Sequence, residues 1–474
     1  MSAPLILAAN TVASGDDLRV ENALNFMGVS DNARFQRTNS SSGSSTKATL
    51  SAWVKYQTDV DQSVPIFMAP DAAGNDRFYI NITGSEELGG THRYPDCDFS
   101  STDDVKLRDP AAWYHIVAVI NTNDGTAADR LKIYLNNQRI TLTFATGGGL
   151  GSGSNIHFNT SGYKNVFGYN DTTNDGAQNL TDMYFSEVIK CDGQVLAPTD
   201  FAEYDENGIW VPKTGLDTSL TFGTTGYYYN FADSSDLGND VSGNNNDASD
   251  VSNTTQSLDT PSNNFATWNP AIPPTAANHN FKEGNLLIEG ENSSQNTTFS
   301  TFAVSSGKWF CEMKLTVEGN ATSSVPNFGI ASTADFKHAD SEAYYESSGT
   351  NIYAGRVNSA QINHNGSDSG TDLSDTPDVG DMMGLALDLD SGTKTLKFYL
   401  NGALVGTVNI NADEYCFITA VKEDSNKATV EANFGNPQFS ISSGNSDGNG
   451  FGNFEYAVPS GYFSLCTKNI AEYG

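Results

Sequence analysis

LKIYLN at residues 131–136 and LKFYLN at residues 396–401 are nearly the same strand written twice, and each closes a strand-turn-strand unit. In the first, WYHIVAVIN (113–121) passes through Asn123-Asp124-Gly125 into the repeat; in the second, MMGLALDLD (382–390) passes through Ser391-Gly392. Alternation puts Leu131, Ile133 and Leu135 on one face, and likewise Leu396, Phe398 and Leu400. Lys132, Tyr134, Lys397 and Tyr399 then turn the other way, toward a wetter face. Two hairpins in separate halves of the chain predict two β-sandwiches.

Outward from the repeats the period-two pattern recurs between clusters of Gly, Asn, Asp and Ser, while helical periodicity is almost absent. The expected class is all-β. LSAWVKY (50–56) sets Leu50, Ala52 and Val54 on one side and Ser51 and Lys55 on the other, with Trp53 interrupting the polar side. A second sheet or a loop should cover that tryptophan. A chain of 474 residues exceeds what one core organises comfortably, so two domains are expected. The pattern stops between about residues 233 and 264, in DSSDLGNDVSGNNNDASDVSNTTQSLDTPSNN. The expected division is an arm at 1–17, a sandwich at 18–232, a polar connector at 233–264 and a second sandwich at 265–474. The arm carries the apolar patch Leu5, Ile6 and Leu7, which suits docking on another surface.

A formal charge of -32 repels phosphate backbones and anionic head groups, so nucleic acid and membrane surfaces are poor partners. No stretch has the length of a membrane-spanning helix, and no signal peptide is read in the opening residues. The five cysteines, Cys97, Cys191, Cys311, Cys416 and Cys466, are widely spaced and lack a CxxC pair, which favours buried hydrophobes over zinc or disulfides. Cys311 alternates in phase with Trp309, Met313 and Leu315.

In the first half, ENALNF (21–26), LSAWVKY, WYHIVAVIN, LKIYLN and FSEVIKCDGQVLAPTDF (185–201) together resemble the concanavalin A-like, laminin-G-type sandwich of bacteriophage tail and fibre proteins. SSGKWFCEMKL (305–315), FGI (328–330), VGDMMGLALDLDSGTKTLKFYLNG (379–402) and NFG (433–435) resemble a SPRY domain. DVSGNNNDAS and LDTPSNNFATWNP look like the connector that phage proteins place between such modules. The resemblance implies a jelly-roll sandwich followed by a SPRY-like one, in a virion protein of a tail fibre, tail tip or head appendage made in the host cytoplasm.

Catalytic patterns are sparse. Concanavalin A-like glucanases carry ExDxxE on a strand, and no such run exists; Asp388 and Asp390 share the alternation but enter a turn. No GxSxG elbow appears, and His115 is the one histidine within a strong strand pattern, beside Trp113 and Val117. No enzyme and no obligatory cofactor is expected. Were a metal held, calcium at Asp240, Asn244, Asn246 and Asp247 around Gly243 is the candidate, although an Asx turn explains the same run. For a ligand, aromatic platforms beside polar groups are sought: Tyr227, Tyr228 and Tyr229, or Tyr344 and Tyr345 with Asp340 and Glu346. SPRY domains generally bind through loops at one rim, which favours the second cluster.

The expected function is attachment to a host-surface glycan or protein, with the arm docked on other virion proteins and the chain in a symmetric homo-oligomer. A purely structural decoration or connector protein is the second reading, and a polysaccharide depolymerase the third.

Overall fold

Both copies of the repeat end in asparagine for one physical reason. The residue must turn left-handed, with φ of 46° at Asn136 and 49° at Asn401, and Asn137 and Gly402 follow it at 68° and 80°. Successive positive φ values make the tight hairpin turn that matches strand twist. The asparagine side chain then reaches the neighbouring strand: Oδ1 of Asn136 accepts the His115 N–H at 2.8 Å, and Oδ1 of Asn401 accepts that of Met382 at 3.0 Å. Each backbone N–H donates back to the same residue's carbonyl at 2.9 Å.

The structure is a computed structural model that describes residues 19–26, 33–56, 64–70, 77–92, 97–101, 106–144, 149–168, 170–172, 176–178, 183–271, 279–291, 296–318, 326–334, 351–357, 359–422 and 426–474. The arm at 1–17 lies outside them. Two units divide between Asn263 and Asn264. Strands dominate both, and among the described residues no helix is long and apolar enough to cross a membrane.

The first unit is a two-sheet sandwich. One sheet centres on β1 (Lys47–Tyr56), β2 (Tyr114–Asn121), β3 (Leu131–Leu135) and β4 (Met183–Asp192). Its order is Gln138–Arg139, β3, β2, β1, β4, Ala23–Phe26 and Thr254–Ser257, with Tyr227–Tyr229 also paired to β4. The opposing sheet runs Leu142–Phe144, Cys97–Ser101, Leu88–His92, Arg77–Ile82, Val64–Pro70, Lys164–Phe167, Arg34–Thr38 and Asp250–Ser252. Leu50, Ala52, Val54, Leu131 and Ile133 fill the space between, as the alternation requires. Trp53 points out of this core and is covered by the hairpin of Ala202–Tyr204 and Trp210–Pro212. Ser51 and Lys55, on the same polar side as Trp53, are buried under the same cover and the chain that follows Ser257.

The polar stretch at 233–264 is not a connector. Asp250–Ser252 pairs with Arg34–Thr38 in one sheet, and Thr254–Ser257 pairs with Ala23–Phe26 in the other. Strand pairing uses backbone groups and needs no apolar side chains at an edge, so a polar composition conceals it. The first sandwich therefore runs to Asn263.

The second unit is also a two-sheet sandwich. One sheet centres on β5 (Lys308–Val317), β6 (Met382–Asp388), β7 (Thr395–Leu400) and β8 (Ala403–Asn409). Its order is His279–Lys282, Leu287–Gly290, Thr429–Asn433, β5, β6, β7 and β8, with Phe463–Ser464 parallel to β5. The facing sheet runs Asn296–Phe299, Tyr415–Val421, Asn327–Ser332, Ile352–Arg356, Gln361–His364 and Ser367–Asp372. Trp309, Cys311, Met313 and Leu315 share the core face with Leu396, Phe398 and Leu400. All five cysteines are buried, and none forms a disulfide.

Candidate functional site

Among the described residues, the outer face of the first sheet brings a histidine, a serine, a lysine and an aspartate together out of solvent. His115 stacks on Trp53 with ring centroids 4.7 Å apart, its Nε2 lies 2.9 Å from Ser51 Oγ, and Trp210 Nε1 lies 3.1 Å from its Nδ1. An indole N–H only donates, so Nδ1 is the acceptor and the proton sits on Nε2, from which it is given to Ser51. A serine nucleophile needs the reverse polarity. Burial alone pushes His115 down to about 3, so the ring is neutral at physiological pH. Nearby, Lys55 Nζ meets Asp259 Oδ2 at 2.7 Å, and Trp113 Nε1 donates to Asp259 Oδ1 at 2.8 Å, all out of solvent. These groups fasten the chain after Ser257 onto the sheet.

The two strand-end carboxylates are similarly committed. Asp388 pairs with Lys308 at 2.8 Å and accepts the N–H groups of Asp390 and Ser391 and the Ser391 hydroxyl. Partial burial raises its pKa, but the Lys308 and Ser391 bonds outweigh it and hold the carboxyl at about 2. Asp390 accepts the Gly307 N–H at 2.8 Å, which places both acids as turn ties. Glu187 is different: it sits in a bulge of β4 with φ of 50°, buried, and Tyr228 donates to it. Desolvation pushes it up to about 8 against that bond, so it stays protonated at neutral pH.

The first tyrosine cluster is a core feature, not a platform. Tyr227 and Tyr229 face the sandwich interior and stack at 4.7 Å, while Tyr228 packs with Phe222 on the outer side. Alternation buried all three because both faces of this sheet are covered. The second cluster, Asp340, Tyr344, Tyr345 and Glu346, lies outside the described residues. The calcium candidates form a hydrogen-bonded turn. Asp240 accepts the N–H groups of Tyr228, Ser242 and Asn246 and the Ser242 hydroxyl; Asp247 accepts the Asp240 N–H at 2.9 Å. The Arg37 guanidinium donates to Asn246 Oδ1, and the Asn244 amide donates to the Gly223 and Gly226 carbonyls. A guanidinium already supplies the positive charge there, which leaves the Asx-turn reading as the one the geometry supports.

Among the described residues, the aromatic most open to solvent in this unit is Tyr204, 52% exposed. It pairs across the hairpin with Trp210 and stands edge-on to that buried indole at 4.8 Å. Asp205 Oδ1 accepts the N–H groups of Asn207 and Ile209, and Gly208 turns at φ of 79°, so the tip is a fixed turn. Glu203 is held by Arg19, while Glu206 and Asn207 are exposed in the turn that follows Tyr204. This is the arrangement sought in the tyrosine clusters, found elsewhere. Its signal is readable in AEYDENGIW: two aromatics either side of an Asp-x-x-Gly turn.

Solved structures similar to this chain include the SPRY domain of human HERC1, at 18% identity over 35% of this chain and 96% of that one, with a TM-score of 0.28. Domains LG4-5 of the mouse laminin alpha1 chain are similar at 10% identity over 90% and 92%, with a TM-score of 0.31. Carbohydrate binding module CBM66 from Bacillus subtilis is similar at 15% identity over 35% and 91%, with a TM-score of 0.23. No curated protein sequence matches the chain. Residues 28–177 match the Laminin_G_3 family, of the Concanavalin A-like lectin/glucanases superfamily, so this protein carries a concanavalin A-like domain inside an all-β chain of two sandwiches.

Proposed function

We propose that this chain is a non-enzymatic virion protein of a bacteriophage that attaches to host-surface glycans, with Tyr204 as the contact of the first sandwich. The observation that carries the glycan reading is one exposed ring braced by a buried indole and flanked by polar groups on a rigid turn. A sugar's apolar face can cover such a ring while carboxylate and amide groups bond its hydroxyls. Bracing matters because a ring already held in place loses little freedom on binding. The match of residues 28–177 to a lectin-containing superfamily points the same way.

The virion part rests on the order of modules and motifs in the sequence. In this reading the arm at 1–17 docks on other virion proteins, copies assemble symmetrically, and weak contacts multiply through avidity. A non-enzymatic role is supported by the polarity of the Ser51–His115 pair and by the ties on Asp388 and Asp390. The test is binding of the purified full chain to host cells and an array of host glycans. Wild type should bind, and Tyr204→Ala should bind about tenfold more weakly, as for loss of one stacked ring of about 1 kcal/mol or more. Affinity for virion proteins alone would favour the decoration role, and release of reducing ends would favour a depolymerase.

A further inference from the structure

The two repeats build matching cross-strand rows. Ser51, Val117 and Tyr134 lie side by side on β1, β2 and β3; Glu312, Gly384 and Tyr399 lie side by side on β5, β6 and β7. In the second row the middle residue has no side chain, and a water-sized hollow opens there. Phe310, Tyr399 and Tyr456 supply its rings, Glu312 its carboxylate, and Gly384 and Gly402 its gaps. The glycines hold it open. A Cβ on Gly384 would meet Phe310 at 3.1 Å and Tyr399 at 3.2 Å, and one on Gly402 would meet the Tyr456 ring at 2.6 Å.

Glu312 is buried and accepts the N–H of Tyr456 at 2.8 Å, the N–H of Glu455 at 3.0 Å and the Asn433 amide at 3.0 Å. Those are three of about four acceptor positions on a carboxylate. Among the described residues no ion pair reaches Glu312: Lys308 pairs with Asp388, and both Lys308 and Lys397 lie over the Tyr462 ring. Burial pushes its carboxyl up to about 7 despite the three donors. A small cation among these rings would meet the negative faces of the aromatics, with the Glu312 carboxyl buried directly beneath them.

We propose that this hollow on the second sandwich is a binding site for a primary ammonium group carried on a slim aliphatic stem, as at the tip of a lysine side chain. Size sets the class: an ammonium head fits where water fits, whereas an amine borne directly on a sugar ring brings the ring with it. The net charge of -32 favours the approach of such a group. This site belongs to the second unit and does not rest on the Tyr204 reading.

The test uses the full chain, titrated with methylammonium chloride against sodium chloride at equal ionic strength and read by tyrosine fluorescence and by thermal unfolding. Methylammonium and n-butylammonium should give a saturable response that sodium does not, and glucosamine should be at least tenfold weaker. Gly384→Ala, which fills the hollow, and Tyr399→Leu, which removes a wall, should each weaken the response tenfold or more; so should Glu312→Gln if it folds. A response equal to that of sodium, one unchanged in Gly384→Ala and Tyr399→Leu, or glucosamine binding as well as methylammonium would each overturn the proposal. Glycan binding through Tyr204 should be unaffected in these variants, so the two readings fail separately.

Discussion

The two repeated hairpins share a turn, an asparagine tie and a core face, yet their outer faces have opposite fates. Around Tyr134 the row is filled by Val117, and the sheet is sealed by Trp210, Phe222 and the strapped chain that carries Asp259. Around Tyr399 the row is hollowed at Gly384, and the segment that includes Tyr456 leaves a small opening over Glu312. One middle residue separates a structural face from one that can receive a ligand. Function can thus be decided by what is missing from a strand as well as by what stands on it.

The sealed face should respond most strongly to insult. Asp259→Ala removes the ion-pair partner of the buried Lys55 ammonium and the acceptor of the Trp113 N–H, so a loss of about 3–5 kcal/mol is expected in the first unit by denaturant unfolding. The paired change Lys55→Met with Asp259→Leu should recover much of it, because both charges then leave together. If Asp259→Ala is tolerated, the strap is not what closes this face.

Glu187→Gln sharpens the comparison through pH. A carboxyl held at about 8 in the fold and near 4.5 when unfolded keeps a proton that the unfolded chain has lost. Wild-type stability should therefore fall as pH rises from about 4.5 to 8, and the glutamine variant should lack that slope, gaining on the order of 5 kcal/mol above pH 8. Parallel urea midpoints at pH 5 and 8.5 would refute it if both proteins tracked together.

The shared asparagine tie gives the cleanest internal control. Asn136→Ala and Asn401→Ala each lose the side-chain acceptor and place a Cβ-bearing residue at positive φ, so each should cost about 1–2 kcal/mol. Near-equal losses in the two units are expected, and a tenfold disparity in the equilibrium constants would break the likeness. Asp388 should show the smallest effect: its carboxyl, at about 2 in the fold, adds stability above pH 4 that fades as pH falls toward 2. Asp388→Asn should flatten that acid limb in the second unit.

The fold was legible because alternation and the repeated hairpin are local signals. Leu50, Ala52, Val54, Cys311 and Met313 went to the faces that period two assigns. The need to cover Trp53 was also readable, although the covering hairpin was not identified. What escaped was polar pairing across long separations. Asp250–Ser252 and Thr254–Ser257 bury backbone groups rather than apolar side chains, so composition hid them. The site was less legible still. Tyrosines signal contact only if exposed, and exposure depends on what covers a sheet: Tyr227 to Tyr229 were covered, whereas Tyr204 on the covering hairpin was not. Glu312 is one acid on an ordinary strand until three chain segments close around it.

The segment from Asp250 to Ser257 supplies a last strand to each sheet of the first sandwich and crosses between them. During synthesis, then, the strand at Ala23–Phe26 must wait for Thr254–Ser257, made far later, before its free edge is occupied. A recombinant piece ending at 232 would carry two open edges, ready to zip onto a neighbour, and would be expected to clump where one ending at 263 stays apart.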